Sequence, residues 1–261
     1  MRFNPLQFGV VRAGVTLVVL LVIWDLAIRI FGIPPYLIPA PRQVLAQLIS
    51  QFPMLARQCV PTLYATLGGF ALSIVFGISV SILIAYSRTL ESYVYPLLVF
   101  SQSIPKVAIA PLFVVWFGFG LLPKVIAAFM IGFFPVVVSA VMGLKSVEPD
   151  LVDLARSMGA GRWKTFIKIN LPCALPAIFG GLKVCITLTV VGAIVGEFVG
   201  SNSGIGYVLQ KANGDFDLPL MFAALVLLSL IGMVLFAAID VIERLVIPWH
   251  VSQRTGLDAT A

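Results

Sequence analysis

Long apolar stretches alternate with short polar segments along the chain, and the length of each apolar stretch indicates what it forms. A helix that crosses a bilayer needs about 20 mostly apolar residues, and six stretches reach that length. They cover residues 10–31, 62–86, 93–118, 124–143, 176–200 and 219–243. The pattern therefore predicts an all-α, polytopic membrane bundle of about six transmembrane helices, formed as a single domain over residues 1–261.

Prolines modify two parts of this prediction. Six of them lie between residues 31 and 61, so that segment is expected to be irregular around one short helix at 42–51. The third span is interrupted at Pro105 and again at Pro111. Proline removes a backbone donor and kinks a helix, and in lipid the freed carbonyl groups need protein or water around them. The third span is therefore predicted to line a cavity or to pack at a subunit interface.

Composition supports a membrane protein and excludes several other classes. Hydrophobic residues make up 60% of the 261, charged residues only 11%, and the mean hydropathy is +1.08. A soluble domain carries about 25% charged residues, so this composition argues against a nucleic-acid-binding domain, a disordered chain and a disulfide scaffold. Its three cysteines form no CxxC pair and it has one histidine. We therefore expect neither a metal site nor a catalytic residue.

The net charge of +6 is better explained by membrane orientation than by nucleic acid, because Lys and Arg concentrate in cytoplasmic loops. With the N-terminus inside, ten basic residues fall in internal segments. Four fall in external segments, namely Arg42, Arg57, Lys124 and Lys211. The distribution predicts that both termini and the segment 144–175 are cytoplasmic.

The segment 144–175 carries five of the 17 basic and three of the 11 acidic residues, yet it keeps a helical pattern. Pro149 suits a first helical turn, and an apolar stripe follows at Leu151, Leu154, Ala155 and Met158. Gly159 then provides a helix stop. A second short helix is predicted at about 162–169, before Pro172 and Pro176 open the next span.

Two interpretations of this pair of amphipathic helices remain open. The helices either rest on lipid headgroups, with basic residues on phosphate, or dock the first helix into a groove of a soluble partner.

The spacing in this segment resembles the EAA motif of ABC importer permeases. Asp153-Leu154-Ala155 is followed by three residues, Gly159, nine residues and Ile169-Asn170-Leu171-Pro172. Asp at 153 and Leu at 154 depart from the motif's Glu and Ala but preserve an acidic position and an apolar face. Residues 103–120 and Gly204-Ile205-Gly206-Tyr207 resemble the nitrate, taurine and sulfonate branch of the same family.

This resemblance implies a type I importer permease, forming a homodimer in a bacterial cytoplasmic (inner) membrane. A separate dimeric ATPase would bind ATP and Mg²⁺, since this chain has no GxxxxGK[ST] loop and is expected to bind no cofactor. An extracytoplasmic binding protein would deliver a small, anionic solute. The resemblance also assigns the ATPase-coupling surface to Glu148, Asp153, Leu154, Ala155, Arg156, Ser157, Gly159, Ala160 and Arg162.

Pathway candidates are the polar residues inside spans, which face protein or water because charge in lipid is costly. Gln102, Ser103 and Lys106 form one candidate group, in which Lys106 either lines an anion path or reaches the cytoplasmic interface. Glu197 is the other candidate, either as part of a gate or in a structural interface.

A lysine and a glycine repeat within the spans lead to two further predictions. Lys183 is expected to snorkel towards the cytoplasm. Gly192, Gly196 and Gly200 repeat at i+4, which suits close helix contact at a dimer face.

Two other functions would leave different residues in the spans. An ATP-independent secondary carrier or channel would be expected to hold more acidic or histidine residues within its spans. A membrane-embedded enzyme would be expected to show HExxH, GxSxG or paired intramembrane aspartates, and the sequence has none of these. A permease that depends on a separate ATPase is therefore the favoured function.

Overall fold

A computed structural model describes residues 5–249, and all regular structure in that range is helical. In chain order the α-helices are α1 (Pro5–Phe31), α2 (Pro41–Ser50), α3 (Phe52–Tyr86), α4 (Arg88–Gln102), α5 (Lys106–Phe117), α6 (Leu121–Lys145), α7 (Pro149–Ser157), α8 (Arg162–Thr165), α9 (Leu171–Gly200), α10 (Ile205–Gly214) and α11 (Leu218–Val246). A π-helical segment, Phe166–Asn170, joins α8 to α9. The predicted positions of the two termini concern residues that lie partly outside this range.

Within the described residues, five helices are long and apolar enough to cross a membrane. The pair α4 and α5 passes the same criterion only together, and the two helices are bent by 95° at the break between them. Counting this bent pair as one span gives six, which confirms the all-α bundle of about six spans.

The short helix predicted at 42–51 is confirmed as α2, but the predicted effect of several prolines was wrong. Helix α3 begins ten residues before the predicted start of the second span. Pro53 does not prevent this, because it lies in the first turn, where the missing N–H costs little. Pro61 lies inside α3, and Pro111 lies inside α5 without ending it. Helix α9 begins at Leu171 with Pro172 in its first turn, so Pro172 opens this helix as predicted, whereas Pro176 lies inside it.

The chain divides into two compact units, of which the larger covers Gln58–Tyr207 and Ser229–Pro248. Within it, α6 and α9 form the most extensive helix pair. A Cβ added to Gly192 would lie 2.6 Å from the Cα of Ala128, and one on Gly196 would lie 2.7 Å from the Cα of Lys124. These two glycines therefore allow close contact with α6 of the same chain, and the prediction that they form a dimer face was wrong.

The core of the larger unit lies around this helix pair. Its main cluster of buried side chains comes from α3, α6 and α9 with Phe166 and Ile247, and includes Phe70, Val136, Ala140, Ile178, Leu182 and Ile186.

The other unit contains the described residues that fall within Met1–Arg57, Val208–Leu228 and Trp249–Ala261. In this unit the Nε2 of Gln47, on α2, donates to Asp217 Oδ2 at 3.2 Å. The other carboxylate oxygen of Asp217 accepts the N–H of Leu220 at 3.1 Å, in the first turn of α11. Trp24 and Phe222 stack with ring centroids 5.8 Å apart.

Candidate functional site

Helix α7 has no buried residue. Leu154 and Met158 of its apolar stripe are 58% and 79% exposed. The helix ends at Ser157, and Gly159, two residues later, has a φ of +80° in the left-handed region. The N–H of Gly159 donates to Arg156 O at 2.9 Å and that of Ala160 to Ala155 O at 3.0 Å, which is the Schellman pattern of helix termination.

The predicted coupling residues all lie in one short stretch. Glu148 directly precedes α7, the residues from Asp153 to Ser157 lie on it, and Arg162 opens α8. Arg156 and Asp153 form an exposed ion pair at 3.4 Å, and the Ser157 hydroxyl donates to Leu154 O at 2.7 Å. We call α7, the turn 158–161 and α8 the coupling unit.

The second helix predicted at 162–169 has a different form in the structure. Only Arg162–Thr165 is α-helical, and the π-helical segment then continues directly into α9. Helical structure therefore runs from Arg162 to Gly200, so the coupling unit continues directly into a membrane-spanning helix.

Gln102, Ser103 and Lys106 come together at the bend between α4 and α5. Gln102 is the last residue of α4 and Lys106 the first of α5. The Nζ of Lys106 donates to Gln102 Oε1 at 2.6 Å. Lys106 is partly exposed and the other two are exposed, so the bend presents one cation and two polar side chains at its surface.

Glu197 lies apart from that bend, in the last turn of α9, and is fully buried. Its Oε1 accepts the hydroxyl of Thr62 at 2.8 Å, and its Oε2 accepts the N–H of Gly206 at 2.7 Å. The Nζ of Lys124, 4% exposed, lies 4.0 Å from Oε1 and donates to Ser203 O at 2.8 Å. This geometry favours the structural alternative for Glu197, since its side chain is fully buried and both carboxylate oxygens accept hydrogen bonds.

The same groups fix the backbone of the turn between α9 and α10. The N–H of Gly204 donates to Gln58 Oε1 at 2.7 Å, and that of Ile205 donates to Thr62 Oγ1 at 2.9 Å. Gly204 has φ +112°, and a Cβ there would lie 2.1 Å from Glu197 Oε1. Only glycine fits this position. We call Gln58, Thr62, Lys124, Glu197 and the turn 201–206 the Glu197 clamp.

Sequence reasoning missed Lys124, which the distribution of basic residues placed in an external segment. The pairing could have been suspected from the sequence, because Lys124 is a basic residue at the start of an apolar helix and Glu197 is an acidic residue in another span. Sequence reasoning also missed the partners of Lys183. Its Nζ lies 2.5 Å from both Asp240 Oδ1 and Glu243 Oε2, near the C-terminal end of α11. Lys183 therefore belongs to a partly buried ion-pair network, and its snorkelling towards the cytoplasm stays a prediction.

Comparisons with known proteins agree with the predicted resemblance. Residues 73–248 match the sequence model of the family described as "Binding-protein-dependent transport system inner membrane component". The formylaminopyrimidine transport permease protein ThiX of Halalkalibacterium halodurans is 40% identical over 90% of this chain and 94% of its own length. The taurine transport system permease protein TauC of Escherichia coli is 28% identical over 94% and 92% of the two chains.

The fold is also similar to that of a solved transporter. A chain of the MetNI methionine ABC transporter in an inward-facing conformation superposes with a TM-score of 0.67 and 23% identity. The superposition covers 76% of this chain and 98% of that one.

Proposed function

Because this chain belongs to the family of binding-protein-dependent transport system inner membrane components, we propose that it forms the translocation path for a small solute and couples it to ATP hydrolysis on another subunit. It is a multi-pass permease subunit of an ABC importer, a transport component rather than an enzyme. Such a permease works with an ATPase and a substrate-binding protein. We place ATP and Mg²⁺ on the ATPase dimer.

The observation that carries the coupling proposal is the exposure of α7. An apolar stripe on a nine-residue helix without a buried residue has no partner within the described chain, and an amphipathic helix gains stability by laying that stripe in a groove. The exposed Asp153–Arg156 pair lies beside it. We propose that this surface binds the ATPase subunit, with the lipid surface as the alternative.

Two neighbouring glycines give a matched test of this proposal. Gly159 has φ +80° and Gly161 has φ −67°, and a Cβ on either meets no atom within 4 Å. Valine is strained at Gly159 because a branched side chain rarely adopts positive φ, but not at Gly161. We expect Gly159→Val to abolish co-purification of the ATPase and Gly161→Val to retain it.

Two results would contradict this proposal. One is equal retention of the ATPase by both glycine variants. The other is normal uptake, without any ATPase, by a variant that lacks residues 148–162, which would support the secondary carrier instead.

The substrate proposal rests on Lys106, the cation at the bend, which favours an anionic solute. Gln102 and Ser103 would supply hydrogen bonds beside it. A second candidate is a heterocyclic compound, because the relative named for formylaminopyrimidine is 40% identical and the one named for taurine is 28% identical.

Uptake of labelled ethanesulfonate, a simple anion, and of labelled formylaminopyrimidine, each with its binding protein, separates these candidates. If Lys106 lines the path of an anion, Lys106→Ala lowers uptake of the anion at least tenfold with ATPase assembly intact, and Lys106→Arg retains most of it. Unchanged kinetics in Lys106→Ala would exclude Lys106 from the pathway.

We further propose a homodimer in a bacterial cytoplasmic membrane, with both termini cytoplasmic. The excess of basic residues in the internal segments supports this orientation. A dimer, in which each permease copy forms half of the path, would present two coupling units to two ATPase subunits.

A further inference from the structure

The π-helical segment Phe166–Asn170 interrupts an otherwise continuous helix between the coupling unit and α9. Leu171 N–H donates to Phe166 O, five residues back, where an α-helix would bond to the fourth. Pro172 follows at once, and its ring clashes with the carbonyl four residues earlier in an ideal α-helix. A wider turn relieves that clash. Single π turns inside α-helices are rare and occur frequently at functional sites.

Aromatic packing holds this segment in place. Phe166 is buried in the main core cluster. The ring of Tyr86, the last residue of α3, meets Phe166 edge-on with centroids 5.6 Å apart, and Trp163 of the coupling unit lies 5.7 Å from it on centroids. The π segment is therefore fixed against α3 on one side and the coupling unit on the other.

A hydrogen bond also links the π segment to the end of α3. Asn170 Nδ2 donates to the Tyr86 hydroxyl at 3.1 Å. The Asn170 Oδ1 atom is buried and has no hydrogen-bond partner among the described residues. A buried amide oxygen without a partner costs free energy. Helix stability therefore does not explain why an asparagine occupies position 170, whereas its hydrogen bond to the end of α3 does.

Together these contacts fix how the coupling unit is turned about the axis of α9. One residue of an α-helix corresponds to about 100° of rotation and about 1.5 Å of rise, and the π turn contains one residue more than an α turn. Without that residue, the apolar stripe of α7 would face a different direction.

We propose that the π-helical segment sets the rotational register of the coupling unit on α9, with Tyr86 and Asn170 as its positioning residues. The inference rests on the proposed coupling function. It assigns these residues a part in converting ATPase movement into movement of α9, since the angle at which the coupling unit meets its partner fixes the direction of the transmitted force.

The test removes the extra residue and keeps everything else. Deletion of Lys168, an exposed residue of the π segment, is compared in the assembled importer with Lys168→Ala, which removes the charge but not the residue. We expect Lys168→Ala to import as many solute molecules per ATP as the wild type. The deletion is expected to lower this ratio at least tenfold or to release the ATPase.

Distances between spin labels report the geometry directly. Labels at Asp150→Cys on α7 and Val184→Cys on α9, in a chain with the three native cysteines replaced by serine, are expected to change their separation in the deletion variant only. An unchanged separation, or an unchanged import ratio with the complex assembled, would overturn the proposal.

A milder pair of variants keeps the proposal testable if the deletion does not fold. Tyr86→Phe removes only the hydroxyl, and Tyr64→Phe makes the same change at an exposed position on α3. We expect Tyr86→Phe to lower the import ratio about threefold, Asn170→Ala to do the same, and Tyr64→Phe to leave it unchanged. Wild-type ratios in both Tyr86→Phe and Asn170→Ala would remove their positioning role. A wild-type chain that binds no ATPase would instead contradict the proposed function.

Discussion

At the scale of single residues, the Glu197 clamp shows how two charges stay inside a membrane protein. Both oxygens of Glu197 accept a hydrogen bond, and Lys124 donates to a carbonyl while it lies 4.0 Å from the carboxylate. Taking either charge out of water is costly unless the partner and the hydrogen bonds are all present. The members of the clamp therefore depend on one another, and losing one removes a hydrogen bond or the opposite charge from another.

Glu197→Gln is expected to destabilise the chain by about 3 kcal/mol, a fall in Tm of roughly 6–12 °C. The amide has one acceptor oxygen for two donors, and it leaves the charge of Lys124 unpaired. Thermal unfolding in detergent measures this, with Glu91→Gln as control, because the Glu91–Lys145 pair is 39% exposed on each side and is worth less than about 1 kcal/mol.

A double-variant cycle tests the pairing itself. Lys124→Met combined with Glu197→Gln should lose less stability than the two single changes added together. Strict additivity would show that the two side chains do not interact.

At the scale of elements, much of the helical pattern could be predicted from apolar length, and the errors have identifiable causes. Helix α2 was predicted within one residue of its observed ends. Helix α10 was missed because it lies between glycines and is too short and polar to read as a span. The start of α3 was missed because Pro53 was treated as a helix breaker, whereas in a first turn proline is tolerated.

The pairing of α6 with α9 gives an element-scale prediction. Gly192→Ala would place a Cβ 2.6 Å from a backbone atom of α6, while Gly180→Ala on the same helix meets nothing within 4 Å. We expect Gly192→Ala to lower Tm by several degrees, because overpacking costs about 1–3 kcal/mol. Gly180→Ala should leave Tm unchanged or raise it slightly. Equal Tm values for the two variants would contradict the close contact.

At the scale of the whole molecule, composition and the distribution of basic residues predicted the class, the approximate number of spans and an orientation. They did not predict which charges pair, because Lys124 and Glu197 lie on different helices and their contact depends on tertiary packing. The same applies to Lys183 with Asp240 and Glu243, and to the π segment, whose residues fit an ordinary α-helical pattern.

The predicted orientation has a direct check. Lys168→Cys in the π-helical segment and Asn202→Cys in the turn after α9 are both exposed positions. In a chain with its native cysteines replaced, a membrane-impermeant maleimide should label Asn202→Cys in intact cells and Lys168→Cys only after permeabilisation. The opposite pattern would reverse the orientation and remove the cytoplasmic position of the coupling unit.

The Glu197 clamp also constrains how the protein is made. Lys124 and Ser203 are separated by 79 residues, and ribosomes add about 5–20 residues per second. For roughly 4–16 seconds after Lys124 is synthesised, the residues that satisfy it do not yet exist. The translocon must therefore handle α6 while the ammonium group of Lys124 lacks its partners. If the ribosome stalls before residue 197, the nascent chain cannot form the Glu197 clamp.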